Sequence, residues 1–300
     1  MVKKKHGKTV SLVLGSGGAR GLAHIGVIQE LEEQGFDIRS ISGSSMGALV
    51  GGIYAAGHLS TYTEWVSALD RFDVLRLLDV SFSGTAIFKG ERIIATLRDL
   101  IGDCNIEDLP ISFTAVATDL EENREVWLSS GPLFDAIRAS IAFPTIFSAF
   151  NYHGRTLVDG GLLNPVPIAP TLHDHSDLIV AVSLSGKARK IAHPEIPSAP
   201  KAPRGSGYHQ MILDFIENLQ HRNNHRQTVD EGFFDVISKS IDAMQSTIAR
   251  LKLASYTPDI IIEIPKNACS IYEFERAREL IEIGRVETRT VLSHHAEAGA

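Results

Sequence analysis

Gly43-Ser44-Ser45-Met46-Gly47 spells G-x-S-x-G between the short apolar run Ile38-Arg39-Ser40-Ile41-Ser42 and the helix-like run Ala48 to Ala56. A serine at a sharp strand-to-helix turn has its hydroxyl pushed out of the backbone. The flanking glycines let the chain turn tightly and let a neighbouring element approach. Ser45 is therefore the candidate nucleophile. Taken alone, the same five residues also describe an ordinary Gly/Ser turn before a helix, so the rest of the chain has to decide.

Working outward, Val10 to Leu14 is short, apolar and ended by glycine, which predicts a buried strand. Gly15 to Gly21 is a glycine-rich loop. Leu22 to Gln34 carries Leu22, Ile25, Ile28 and Leu31 at helical spacing and stops at Gly35. The order is β-loop-α-β-turn-α, which implies an α/β fold with a sheet flanked by helices. Further strands are expected at 112–118, 124–128, 155–159, 177–184 and 260–264, and a short helix at 133–140. The run Leu178-Ile-Val-Ala-Val-Ser-Leu184 is nearly continuous in apolar residues, as in a central strand covered on both faces. Phe234, Ile237, Ile241, Met244, Ile248 and Leu251 recur in steps of three and four, which predicts a core-facing helix; the repeat is too short for a sustained coiled coil.

The chain has 300 residues and 44% hydrophobic content, enough for a sizeable core. Its net charge of −7 argues against a dedicated nucleic-acid binder. Cys104 and Cys269 lie far apart, match no metal spacing and suit packing in a reducing compartment. No stretch approaches the roughly 18 apolar residues of a membrane span, so a cytoplasmic protein is expected. The basic tip Met1 to Lys8 offers peripheral contact with an anionic membrane as the alternative to a frayed end. Oligomeric state is not encoded in any motif. Gly186 to Gly207 carries four prolines and five basic residues and predicts a mobile surface loop, followed by a helix from about 211 to 220.

Chemistry gathers around three loops. Gly15-Ser16-Gly17-Gly18-Ala19-Arg20-Gly21 lies between strand and helix. Arg20 occupies the third glycine position of a dinucleotide fingerprint, and no G-K-[ST] follows, so nucleotide binding is disfavoured. Adjacent glycines at a helix N-terminus expose backbone N–H groups that stabilise an oxyanion. Gly17 and Gly18 are the candidate donors, with Arg20 adding charge or holding the loop. A nucleophile also needs a base, and Asp159-Gly160-Gly161 ends a strand-like segment. An Asp-Gly turn is the plain alternative there.

The order G-x-G-G-x-R-G, G-x-S-x-G, D-G-G resembles the patatin-like phospholipase family. Ala117-Thr-Asp-Leu120 and Arg138-Ala-Ser-Ile-Ala-Phe-Pro144 add to the likeness, which is strong from about Thr9 to Leu172 and looser from Phe233 to about Arg285. Plant-type members carry an acidic residue where this chain has Gly15, whereas many bacterial members carry glycine there, as this chain does. The resemblance implies a three-layer α/β/α sandwich around a mostly parallel sheet. It also implies a single hydrolase domain over residues 1–300, with core motifs at 9–172 and C-terminal helices and strand at 208–300. It implies a Ser-Asp dyad acting on lipid acyl esters through an acyl-enzyme, with Ser45 as nucleophile, Asp159 as base, an oxyanion hole at Gly17, Gly18 and Arg20, and no metal or organic cofactor.

Two other chemistries remain open at this stage. Chain order allows a Ser45-Asp159-histidine triad through His173 or His175, whereas His24 in the first helix reads as structural. The same site serves an acyltransferase, or a lipid-binding module with little turnover. Tyr62 to Phe88 and Phe143 to Phe150 are rich in apolar residues and are expected in the core or, for residues 62–88, as a lid or acyl-chain wall.

Overall fold

The computed structural model of the protein describes residues 7–77, 86–190 and 227–298. Packing divides the chain into two units, one of residues 1–194 with 245–300 and one of residues 195–244. The strands are β1 (Thr9–Leu14), β2 (Asp37–Ser44), β3 (Ala86–Phe88), β4 (Ser112–Asp119), β5 (Arg124–Leu128), β6 (Thr145–Phe147), β7 (Phe150–Tyr152), β8 (Arg155–Asp159), β9 (Leu178–Gly186) and β10 (Ile260–Pro265). The helices are α1 (Ala23–Glu33), α2 (Met46–Ala55), α3 (Leu59–Ala68), α4 (Arg71–Leu77), α5 (Glu91–Ile101), α6 (Leu133–Ser140), α7 (Gln227–Tyr256) and α8 (Ala277–Ala298). Among the described residues no helix is long and apolar enough to cross a membrane.

The main sheet runs β10-β9-β1-β2-β4-β8-β7, with β5 also on β4. β10, β9, β1, β2 and β4 are successively parallel. β5 and β8 lie antiparallel to β4, and β7 antiparallel to β8. Parallel neighbours need right-handed crossovers, so the direction of travel across the sheet fixes the face on which each crossover lies. The chain moves one way from β1 to β2 and the other way from β9 to β10, so α1 and α7 belong to opposite faces. The core agrees. Val10, Leu12 and Leu14 pack with Ile25 and Ile28 of α1, Leu49 of α2 and Leu280 of α8. Val13 and Ala181 point the other way, onto Val166, Ile168 and Ala249 of α7. The result is the three-layer α/β/α architecture expected. Because direction reverses at β1, the loop after it sits at the switch point, where open α/β sheets form their binding crevice.

The second face is covered in part by extended chain rather than helix. Ser40, Ser42 and Ser44 alternate along β2 and point to that side. Ser44 Oγ donates to the Asn164 carbonyl at 2.7 Å, Ser42 Oγ to the Pro167 carbonyl and Ser40 Oγ to the Asp174 carboxylate. Serines in a central strand are thus each matched to an acceptor, as buried polar groups must be.

One expectation needs correction. In α7, Met244 and Leu251 are exposed, while Gln245 and Ala249 are buried and Leu253 and Tyr256 pack on the second core cluster. The inward face of the last turns uses small and polar residues against the extended segment, so hydrophobicity followed the wrong stripe. In α3, Tyr62 and Val66 are buried in the main core, with Trp65 and Leu69 packed against it. For these four residues the structure shows core packing, one of the two alternatives expected for the segment. Residues 78–85 of the expected lid lie outside the described residues, as do 191–207 of the basic loop, the 211–220 helix and residues 1–6 of the basic tip.

Candidate active site

The register of β4 brings the serine and the aspartate together. Residues 115–116 of β4 pair with β2 on one edge and β5 on the other; residues 117–119 pair with β5 and β8. β8 therefore lies on the same edge as β2, and the two strands meet end to end. Ser44 sits opposite Val116, and Asp159 opposite Ala117. The carboxyl end of β2 thus faces the carboxyl end of β8, with Ser45 and Asp159 at the junction.

Ser45 has φ 56° and ψ −124°, a strained conformation for a residue with a side chain. Local bonds hold it there. Its N–H donates to Ser140 Oγ at 2.9 Å, and that hydroxyl donates to the Val116 carbonyl at 2.6 Å. Its own carbonyl accepts from Ala48 and Leu49 in the first turn of α2. Neighbouring strain and bonding thus fix the hydroxyl outside the helix. Ser140 is a site residue that the sequence motifs do not single out, although it lies inside the family-like stretch Arg138 to Pro144.

Asp159 is fully buried. Its Oδ1 accepts the Gly161 N–H at 2.7 Å. Burial pushes the carboxyl up from its ordinary 3.8 to about 7, while the Ser45 hydroxyl and the Gly161 N–H pull it down. The Ser45 contact reaches the carboxyl without forming a well-aligned hydrogen bond, for Oδ2 has no partner at bonding geometry among the described residues. Loose contact of this kind is common for catalytic pairs before substrate arrives.

The glycine-rich loop closes the site. The N–H groups of Gly15, Ser16 and Ala19 are bonded to the carbonyls of Val182, Pro165 and Ile271. Those of Gly17 and Gly18 make no hydrogen bond to another described residue. Two glycines lock the three loops together. A Cβ on Gly21 would fall 2.3 Å from Met46 Cβ, and one on Gly161 would fall 2.3 Å from Ser16 Oγ. The first loop therefore touches the residue after the serine and the turn after the aspartate.

The family model for patatin-like phospholipases matches residues 12–172. An NTE family protein of Mycobacterium tuberculosis is 39% identical over 320 residues, covering 92% of this chain and 89% of its own length. The chain belongs to the patatin-like phospholipase family. It is also similar to the neuropathy target esterase sws of Drosophila melanogaster, at 33% identity over 175 residues, 56% of this chain and 12% of that protein. VipD from Legionella pneumophila aligns over 96% of this chain and 67% of its own, with 16% identity and a TM-score of 0.49.

Within this patatin-like site, Arg20 is buried and clamps the loop. Its Nε donates to the Gly17 carbonyl at 3.2 Å and its Nη1 to the Lys266 carbonyl at 3.3 Å. His24 is buried, with Nε2 2.8 Å from the Gly15 carbonyl oxygen, and burial lowers its pKa to about 4. It is a neutral strut behind the loop. His173 and His175 are exposed and flank Asp174, whose carboxylate bonds Ser40. Ser40 lies five residues before Ser45, about 16 Å along the strand, so neither histidine reaches the serine and the triad is excluded. Two surface depressions, one at Ile248, Leu251 and Tyr256 and one at Glu32, Tyr54 and Pro110, are not lined by Ser45 or Asp159.

Proposed function

We propose that the protein is a serine acyl hydrolase of lipid esters, of the phospholipase A, lysophospholipase or lipid esterase type. The observation that carries this is the pairing of a strained, outward-held Ser45 with a fully buried Asp159 whose carboxyl titrates near neutrality. An aspartate with an ordinary pKa is a poor base for a serine hydroxyl. One raised to about 7 has a basicity matched to working pH and is still half ionised there.

Ser45 Oγ attacks the ester carbonyl carbon as its proton passes to Asp159. The negative charge that develops on the carbonyl oxygen is met by the uncommitted N–H groups of Gly17 and Gly18. The protonated Asp159 gives its proton to the departing alcohol, leaving the acyl group on Ser45. Water, deprotonated by Asp159, then releases the fatty acid. Arg20 acts as a positioning residue, holding the Gly17 carbonyl so that the loop N–H groups stay turned inward.

The test is turnover of a p-nitrophenyl ester. Ser45→Ala and Asp159→Asn each lower kcat by about 10³-fold or more, and the double variant His173→Ala, His175→Ala retains it. Loss in the histidine variant on a par with Ser45→Ala would overturn the dyad.

A further inference from the structure

Gln245 opens the inward face of the last turns of α7, where Ala249 is buried and Leu253 and Tyr256 pack on the core. An apolar residue would continue that face. The glutamine is only 8% exposed, and its Nε2 has no hydrogen-bond partner among the described residues. A buried amide left unpaired is destabilising, and such a group calls for a ligand or a reason.

Its position supplies one. The point 2.3 Å from Ser16 Oγ where a Gly161 Cβ would lie is also 2.9 Å from Gln245 Nε2. Gly161 holds Asp159 through its N–H, and Ser16 immediately precedes Gly17. The amide and the Ser16 hydroxyl thus lie against the same side of Gly161, beside the turn of the base. With the acyl oxygen of a substrate on the glycine-rich loop, the alcohol oxygen must approach Asp159 to take its proton. The atoms next to that oxygen then come alongside Gly161.

We propose that Gln245 Nε2, with Ser16 Oγ, is a specificity subsite that donates to an oxygen on the alcohol half of the ester, as in glycerol-based lipids. The acceptor is a phosphate or hydroxyl oxygen a few bonds from the scissile ester. This rests on the serine hydrolase reading above and deepens it. A site built to bond an oxygen discriminates against analogues that lack it.

Gln245→Met tests it, since methionine keeps the volume and removes the donor. The assay compares kcat/KM for octanoyl-lysophosphatidylcholine, monooctanoylglycerol and p-nitrophenyl octanoate, alongside thermal melting and fluorophosphonate labelling of Ser45. The ratio of lysophospholipid to p-nitrophenyl ester is expected to fall about tenfold, with no loss of Tm because the unpaired amide is gone. A matching fall for monooctanoylglycerol assigns the acceptor to a glycerol hydroxyl; a fall for the lysophospholipid alone assigns it to phosphate. A ratio that changes by less than about fivefold overturns the subsite. If wild type labels at Ser45 while the ratio stays put, only the subsite falls. If wild type neither labels nor turns over any of the three esters, the hydrolase reading falls and the subsite with it.

Discussion

Replacing Asp159 by asparagine should separate function from stability in a pH-dependent way. Asparagine keeps the shape and an oxygen to accept the Gly161 N–H, and removes the ionisable group. In the folded protein the carboxyl titrates at about 7 rather than 3.8 because burial disfavours its charged form. The sign follows from linkage. Between pH 4 and pH 7 the unfolded chain has lost this proton while the native protein still holds it, so stability due to Asp159 is complete below pH 4 and is lost as pH rises through 7. Moving a pKa from 3.8 to about 7 corresponds to about 4 kcal/mol. His24 works in the opposite sense. Its native pKa of about 4 lies below the ordinary 6.5, so stability is lost as pH falls from 6.5 towards 4, by about 3 kcal/mol. The wild-type curve is therefore partly flattened, and the informative quantity is the difference between variant and wild type, in which His24 cancels. Urea unfolding followed by the fluorescence of Trp65 and Trp127 gives that difference. Asp159→Asn should gain about 4 kcal/mol relative to wild type between pH 4 and pH 8 while losing turnover. A difference that stays constant within about 1 kcal/mol across that range would mean that Asp159 ionises normally in the fold, and the reasoning for it as a neutral-range base would fail.

Two other outcomes follow from the Ser45 turn. Ser45→Gly relieves a positive φ and should stabilise the protein by about 1 kcal/mol in urea melts while abolishing turnover. Ser140→Ala removes the acceptor for the Ser45 N–H and the donor to the Val116 carbonyl. It should cost about 2 kcal/mol of stability and lower kcat about tenfold with KM little changed, measured by urea melts and steady-state kinetics.

The core strands and the three loops were legible because each has a local cause. A short apolar run ended by glycine makes β1, and G-x-S-x-G makes a strand-to-helix turn. What could not be read locally was anything set by pairing across the sheet. The junction of β2 and β8 on one edge of β4 depends on register and on the antiparallel return of β8, neither of which leaves a mark in the motif around Asp159. The acceptors that let Ser40, Ser42 and Ser44 sit in a buried strand, the Asp174 carboxylate and the carbonyls of Pro167 and Asn164, come from more than a hundred residues away in the chain and carry no local signal. The inward face of α7 was misread for the same reason, since Gln245 and Ala249 pack on extended chain and leave Met244 and Leu251 outside. His173 and His175 were ambiguous by chain order and are set apart from Ser45 by their place beside Asp174, which bonds Ser40 in the middle of β2.

The proposed mechanism has Asp159, without histidine, activate Ser45. The rate at which a fluorophosphonate labels Ser45, followed by peptide mass mapping from pH 5 to pH 9, tests it most directly. With Asp159 as the base, the wild-type rate rises with pH to a half-maximum near 7, matching the Asp159 carboxyl, and the Asp159→Asn rate is at least about 10²-fold lower with no such rise. Label on another residue, or equal rates and pH profiles in the two proteins, would contradict it.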